Sequence, residues 1–267
     1  SSADWSRASQ WTVGFEAWCE ANFAKISPSC QLHRAEVMGV KETLADALAK
    51  VHSAIVALPN TDPWAVGDAY RVQGDIRAAI GDIEAAKEDY ARAYEAGGDA
   101  EPGNAMLLHQ AGDTDGALAA LDRVLARTDW FSLQRKGWIT ANKARLCAMA
   151  GRVEDARACL KALKENYDAW PSAAIRALAM EAQACLPPVK GEPSPVQLLN
   201  LARQLWTSLG GEYHAARVRL DLAERMIAEG DVAGALVEAK CALLGAEKIG
   251  ARLVQKRSAA MVARLER

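Results

Sequence analysis

Apolar and small residues recur along this chain at offsets of five, nine and twelve from a Gly that is followed by a polar residue. Gly81-Asp82 is followed in this way by Ala86, Tyr90 and Ala93, and Gly112-Asp113 by Ala117, Leu121 and Val124. Gly151-Arg152 leads to Ala156, Leu160 and Leu163, and Gly230-Asp231 to Ala235, Ala239 and Ala242. Each phrase sits between two amphipathic runs with helical periodicity, such as Trp64 to Ile80 before Gly81 and Tyr213 to Glu229 before Gly230. A Gly at that place supplies the left-handed residue that ends the first helix, and the Asp caps the second. The small residue at offset five lets the two helices approach closely, and offsets nine and twelve face the next pair.

Two weaker copies extend the series. Gly39 is followed by Leu44, Leu48 and Val51 at the same offsets. Gly191 is followed by a displaced set, Val196, Leu199, Ala202, Leu205 and Trp206, with Pro193 and Pro195 predicting an irregular start. The six starts are mostly about 40 residues apart. The fold class predicted is all-α, a right-handed superhelical solenoid of about six helical hairpins with a concave groove. It is read as one domain over 1–267: an N-terminal Trp-rich helix over 1–29, hairpins over 30–245, and a capping helix over 246–267. Leu58 to Pro63 is predicted to separate two hairpins, with Asp62 as N-cap and Pro63 as first helical residue.

At the N-terminus, Trp11, Phe15 and Trp18 follow i, i+4, i+7 spacing and make one apolar face. Two readings stand for it: packing against the first hairpin, or a homodimer contact. The terminal segment carries Arg252, Lys256, Arg257, Arg264 and Arg267, read as a solvated face rather than a nucleic-acid contact.

Composition narrows the function classes. A formal net charge of -2 argues against a general nucleic-acid surface. No run of about 18 apolar residues is present, so no membrane partner is expected. The first residues lack the basic region and apolar core of a signal peptide, and the six cysteines form no C-x-x-C pair. Reduced, buried thiols in a cytoplasmic protein are the expectation.

The known catalytic patterns H-E-x-x-H, G-x-S-x-G and the dinucleotide Gly fingerprint do not occur. His33, His52, His109 and His214 are widely separated, so no metal ligand set and no cofactor are expected, and no catalytic residue is assigned. Counting back from the turns instead places His33, Glu36, Asp68, Arg71, Asp75, His109, Trp138, Arg145, Glu181, Arg217 and Glu224 on the concave wall, with Met106, Gln110, Met149 and Leu220 among them. Arg71, Arg145 and Arg217 can clamp a carboxylate or phosphate. Alternatively, these Arg and Glu side chains pair with one another across neighbouring helices.

The Gly-Asp hairpins resemble tetratricopeptide repeats over about residues 30 to 250. Three passages, Cys30 to Glu36, Gly81 to Gly103 and Leu205 to Gly210, resemble the repeat region of bacterial LuxR-type multidomain transcriptional regulators. That resemblance implies a sensor or interaction module, with an ATPase upstream and a DNA-binding helix-turn-helix downstream in the complete family. No G-x-x-x-x-G-K-[ST] loop occurs in this sequence, and direct nucleic-acid binding is not expected of it. The function expected is non-catalytic recognition of a peptide, protein or small-molecule ligand in the groove. A freestanding protein scaffold is one alternative. The other is a small-molecule-binding or catalytic protein with an enclosed pocket.

Overall fold

A computed structural model describes residues 5–22, 25–166, 168–169 and 171–267, without the side chains of residues 6, 130–132 and 134. Residues 1–4 of the expected N-terminal segment lie outside the described residues. The described residues form fourteen α-helices and no strand. The N-terminal helix α1 (Trp5–Ala21) precedes twelve described α-helices that pack on their neighbours. These are α2 (Pro28–Lys41) with α3 (Leu44–Ala57), α4 (Val66–Ile80) with α5 (Ile83–Glu95), and α6 (Gly103–Gln110) with α7 (Thr114–Ala126). They continue as α8 (Trp130–Met149) with α9 (Val153–Glu165), α10 (Ala173–Ala184) with α11 (Pro195–Ser208), and α12 (Glu212–Ala228) with α13 (Val232–Ile249). Helix α14 (Arg252–Leu265) ends the chain.

The turn chemistry follows the repeated phrase at its four clear copies. Gly81, Gly112, Gly151 and Gly230 have φ of 100°, 94°, 73° and 90°, a region closed to most side chains. Asp113 and Asp231 cap the following helices by accepting from the N–H of Gly116 and Gly234, whereas Asp82 makes no such bond. Ala86, Ala117, Ala156 and Ala235, all at offset five, are fully buried. Close approach is demanding at Gly74 on α4, where an added Cβ would stand 2.5 Å from Tyr90 Cε1 on α5. The missing side chain is what lets that ring lie against the helix backbone.

Three expectations need correction. Gly39 is not a turn: it lies inside α2 with Ile76 of α4 against it, and α3 starts behind Thr43, which caps it by accepting from Asp46 N–H. Pro63 is the first residue of a 3-10 turn to Ala65 that runs directly into α4, with Asp62 at its N-cap position as the sequence predicts, although the Asp62 side chain accepts from the Ser29 hydroxyl at 2.7 Å and not from a helix N–H. The last boundary moves from 246 to 252, because α13 continues until Gly250 adopts a left-handed C-cap. The Trp11, Phe15 and Trp18 side chains do not pack into the first hairpin; they are 73%, 39% and 57% exposed, while Trp5 and Cys19 are the buried residues of α1.

Gly191 lies in the irregular segment expected there, with φ of 90°, and α11 begins behind a Ser194 capping box. The exposure of Arg252, Lys256, Arg257, Arg264 and Arg267 matches a solvated face, while Val254, Ser258 and Met261 of the same helix are buried.

Neighbouring helices pack in chain order, and the ends of the chain also meet. Helix α12 touches α2, and α14 touches α4 and α12. One apolar core therefore joins Leu32, Val51, Val72 and Ile76 from the first pairs to Leu220, Ala242, Val254 and Met261 from the last. A second core runs from Trp5 through Leu178, Leu199 and Trp206 to Val218 and Leu222. Because the first pair docks against the last, the first helices of the pairs surround a common centre instead of an open face.

Candidate functional site

On α4, Asp68, Arg71 and Asp75 stand at spacings of three and four, so their side chains share one face. That face meets Glu36 of α2. Arg71 is 5% exposed and donates from Nε to Asp68 Oδ1 at 2.7 Å, from Nη1 to Asp75 Oδ2 at 2.9 Å, and from Nη2 to Glu36 Oε1 at 3.1 Å. Its planar fork is thereby satisfied by three carboxylates from two helices. Tyr90 on α5 donates to the remaining oxygen of Asp75 at 2.9 Å. Burial pushes the Asp68 carboxyl up, but Arg71 and Arg135 outweigh it and hold the group well below the usual carboxylate range. At Asp75 burial prevails over Arg71 and Tyr90, and the pKa is raised.

A second cluster centres on Glu181 of α10, which is 1% exposed. Its Oε2 meets Arg145 Nε of α8 at 3.1 Å and accepts from Arg217 Nη2 of α12 at 2.5 Å. Its Oε1 accepts the indole N–H of Trp206 at 2.7 Å. Burial raises the Glu181 pKa, but Arg217 and Arg145 together take it below its ordinary value. The other terminal nitrogen of Arg217 has only Asp221 Oδ2 at 3.6 Å, beyond hydrogen-bond reach.

Aromatic rings close the space between the clusters. Trp5 of α1 meets Trp138 of α8 edge-on at 5.0 Å between centroids. His214 of α12 stacks on Trp206 at 4.1 Å. Burial, then Arg217 and Arg145, drive the His214 pKa down to about 3, so the ring is neutral at pH 7.

Together these elements surround a central cavity of about 400 Å³. Its walls include Glu36, Arg71, Asp75, Trp138, Arg145 and Arg217 from the set read in the sequence, with Met106, Gln110 and Met149. Asp68 and Glu181 hold the lining arginines from behind. His33, His109 and Glu224 are not part of the lining: His33 is exposed, His109 Nδ1 is 2.9 Å from Thr114 Oγ1, and exposed Glu224 meets Arg257 at 3.4 Å. Leu220 is core. The lining residues not anticipated are chiefly Trp5, Tyr90, Asn142, Tyr213, His214, Asp221 and Arg257. The alternative of Arg and Glu pairing between neighbouring first helices describes Arg71 with Glu36 and Arg217 with Glu181.

A larger surface concavity, about 590 Å³, lies between α9, α10 and the 187–195 segment. Its lining is largely apolar with Arg157, Lys161 and Lys164 at the rim, and no buried unpartnered polar atom among the described residues belongs to it. The central cavity concentrates the polar chemistry and is the candidate site. Among the described residues no three His, Cys, Asp or Glu side chains cluster as metal ligands. Burial pushes the Cys147 thiol up to about 11 and raises Cys159, which makes both poor nucleophiles at neutral pH. No described helix is long and apolar enough to cross a membrane.

No family model, curated protein or solved structure matches the chain.

Proposed function

We propose that this chain is a non-catalytic helical-repeat binding module whose central cavity receives a small molecule. The supporting observation is the cavity itself. First helices of successive pairs converge on about 400 Å³, within the range of small-molecule sites, and line it with aromatic and apolar side chains plus a few charged groups. Docking of α2 against α12 disfavours an extended peptide lying along an open groove. In this reading the pairs are tetratricopeptide-like units of a right-handed superhelix drawn into one closed turn. The resemblance of Cys30 to Glu36, Gly81 to Gly103 and Leu205 to Gly210 to LuxR-type regulators supports a sensory role within a bacterial transcriptional regulator. The exposed Trp11, Phe15 and Trp18 face of α1 supports a contact with a second copy or another protein.

Native mass spectrometry of protein purified from its own cell tests the reading. A stoichiometric mass excess that leaves on denaturation is the expected result. Protein that carries no small molecule, and that no metabolite library raises in melting temperature, would overturn it.

A further inference from the structure

Three buried nitrogens without a hydrogen-bond partner belong to residues that line the central cavity: Trp5 Nε1, His214 Nδ1 and Arg217 Nη1. They come from helices far apart in the chain, α1 and α12. The rings of Trp5 and His214 lie 6.4 Å apart, and His214 and Arg217 are three residues apart on α12. Buried N–H groups left unpaired cost on the order of 1–3 kcal/mol each, more when charged. A concentration of such groups around one cavity is therefore informative.

Resting on the small-molecule reading above, we infer that the cavity recognises a small carboxylate with an apolar body, its acid group held by Trp5, His214 and Arg217. Trp and Arg nitrogens are donors only, so their common partner has to be an acceptor. His214 contributes a third donor in the tautomer protonated at Nδ1. Arg145 and Arg217 share the buried carboxylate Glu181, Asp221 stands 3.6 Å from Arg217, and Arg257 also lines the cavity with Glu224 3.4 Å away. Burial and the neighbouring Arg217 push the Arg145 pKa down, as expected where cations crowd and an added anion would relieve them. The rest of the lining supplies the apolar contact, with Trp138, Met106, Leu178 and Val72 among the walls. Arg71 is not part of the acid site, because each of its nitrogens already donates to a carboxylate.

Matched probes test this. Hexanoate, octanoate and hydrocinnamate are titrated against the full chain beside their primary amides, read by calorimetry and by tryptophan fluorescence, since Trp5 and Trp138 line the cavity. At least one acid is expected to bind about tenfold or more tighter than its amide, the effect of one charge-assisted hydrogen-bond set. Arg217→Gln is expected to bring acid and amide to similar affinity. Trp5→Phe, which removes the N–H donor together with part of a buried ring but breaks no ion pair, should weaken the acid several-fold more than its amide, and that acid-to-amide contrast guards against loss of fold in the Arg217 variant. Equal affinity for every acid and its amide overturns the carboxylate assignment and leaves small-molecule binding standing. Undiminished acid binding in both variants also overturns it. Binding of none of the acids or amides overturns it as well, and the native mass measurement then decides whether the cavity reading falls too.

Discussion

The Trp206 indole N–H donates to Glu181 Oε1 at 2.7 Å, which ties α11 to the one carboxylate that also holds Arg145 and Arg217. Three helices beyond its own thus depend on a single buried charge. Removing one member of a buried ionic cluster strands the others, typically at about 3–5 kcal/mol. Glu181→Ala is expected to lower the unfolding free energy by roughly that amount in urea titrations. Glu181→Gln, which still offers an oxygen to Trp206, should fall in between. A loss below about 1 kcal/mol for the Ala variant would show that the cluster is solvated in solution.

Arg71 makes the converse arrangement, one guanidinium among Glu36, Asp68 and Asp75. Arg71→Ala leaves three carboxylates facing one another at a partly buried site, so a loss of about 3 kcal/mol or more is expected. Adding Glu36→Gln and Asp68→Asn to that variant should recover part of it, because the repulsion goes with the charges. Failure of the triple variant to regain stability over the single one in chemical denaturation would count against this.

How far the fold can be read from the chain depends on how local each cause is. The turn at Gly81 and the small residue at Ala86 belong to one stretch of six residues, and both behave as their spacing predicts. Gly39 shows the limit: Leu44, Leu48 and Val51 mimic the same offsets, yet Thr43 caps α3 and Gly39 serves contact with Ile76. Arg71, Arg145 and Arg217 were legible as wall residues because each is counted from its own turn, whereas Glu36 was counted from Gly39, which is no turn, and reaches the wall through its place on α2. Trp5, His214 and Arg257 reach the cavity only because α1, α12 and α14 come together around it, and no local pattern announces contacts between the two ends of the chain. That long-range closure is also what separates a cavity from the open groove that the repeat alone predicts.

Gly74→Ala probes the close contact between α4 and α5. The new methyl would sit 2.5 Å from Tyr90 Cε1 and 2.7 Å from Cδ1, well inside van der Waals contact. Tyr90 cannot easily retreat, since it is 1% exposed and its hydroxyl donates to Asp75. The substitution improves helix propensity by up to about 1 kcal/mol, but overpacking of this kind costs about 1–3 kcal/mol. A net loss of stability is expected in thermal unfolding, and an unchanged or raised melting temperature would refute the contact.

Asp89 and His214 tilt acid stability in opposite directions. Burial raises the Asp89 pKa from 3.8 to about 6, Arg77 and Arg92 only partly opposing it. The folded chain therefore holds an extra proton between these values. This contribution is present below pH 3.8 and lost as pH rises through about 6. His214 is depressed from 6.5 to about 3, so the unfolded chain holds the extra proton there, and stability present above pH 6.5 is lost as pH falls. Between about pH 4 and 6 the two slopes offset each other. Asp89→Asn should steepen the loss of stability on acidification in that range, and His214→Phe, which keeps a ring on Trp206, should reverse it. Parallel pH profiles for the three proteins would overturn both assignments.

The aromatic face of α1 bears on assembly. Trp11 and Trp18 are largely exposed, and Phe15 stacks on Trp18 at 6.3 Å between centroids, so the three present one apolar surface to solvent. Aromatic residues dominate the energy of protein interfaces, and contiguous exposed ones are uncommon on monomers. The proposed second-copy contact predicts a concentration-dependent dimer in sedimentation velocity. Trp11→Glu with Trp18→Glu should shift it to monomer, because two carboxylates would then face their copies across the contact. Stability should hardly change, since neither side chain is buried in the fold; the anchors of α1 are Trp5 in the core and Glu16 paired with Arg34 and Lys50. A monomer at all concentrations for the unaltered chain would reserve this face for a different protein.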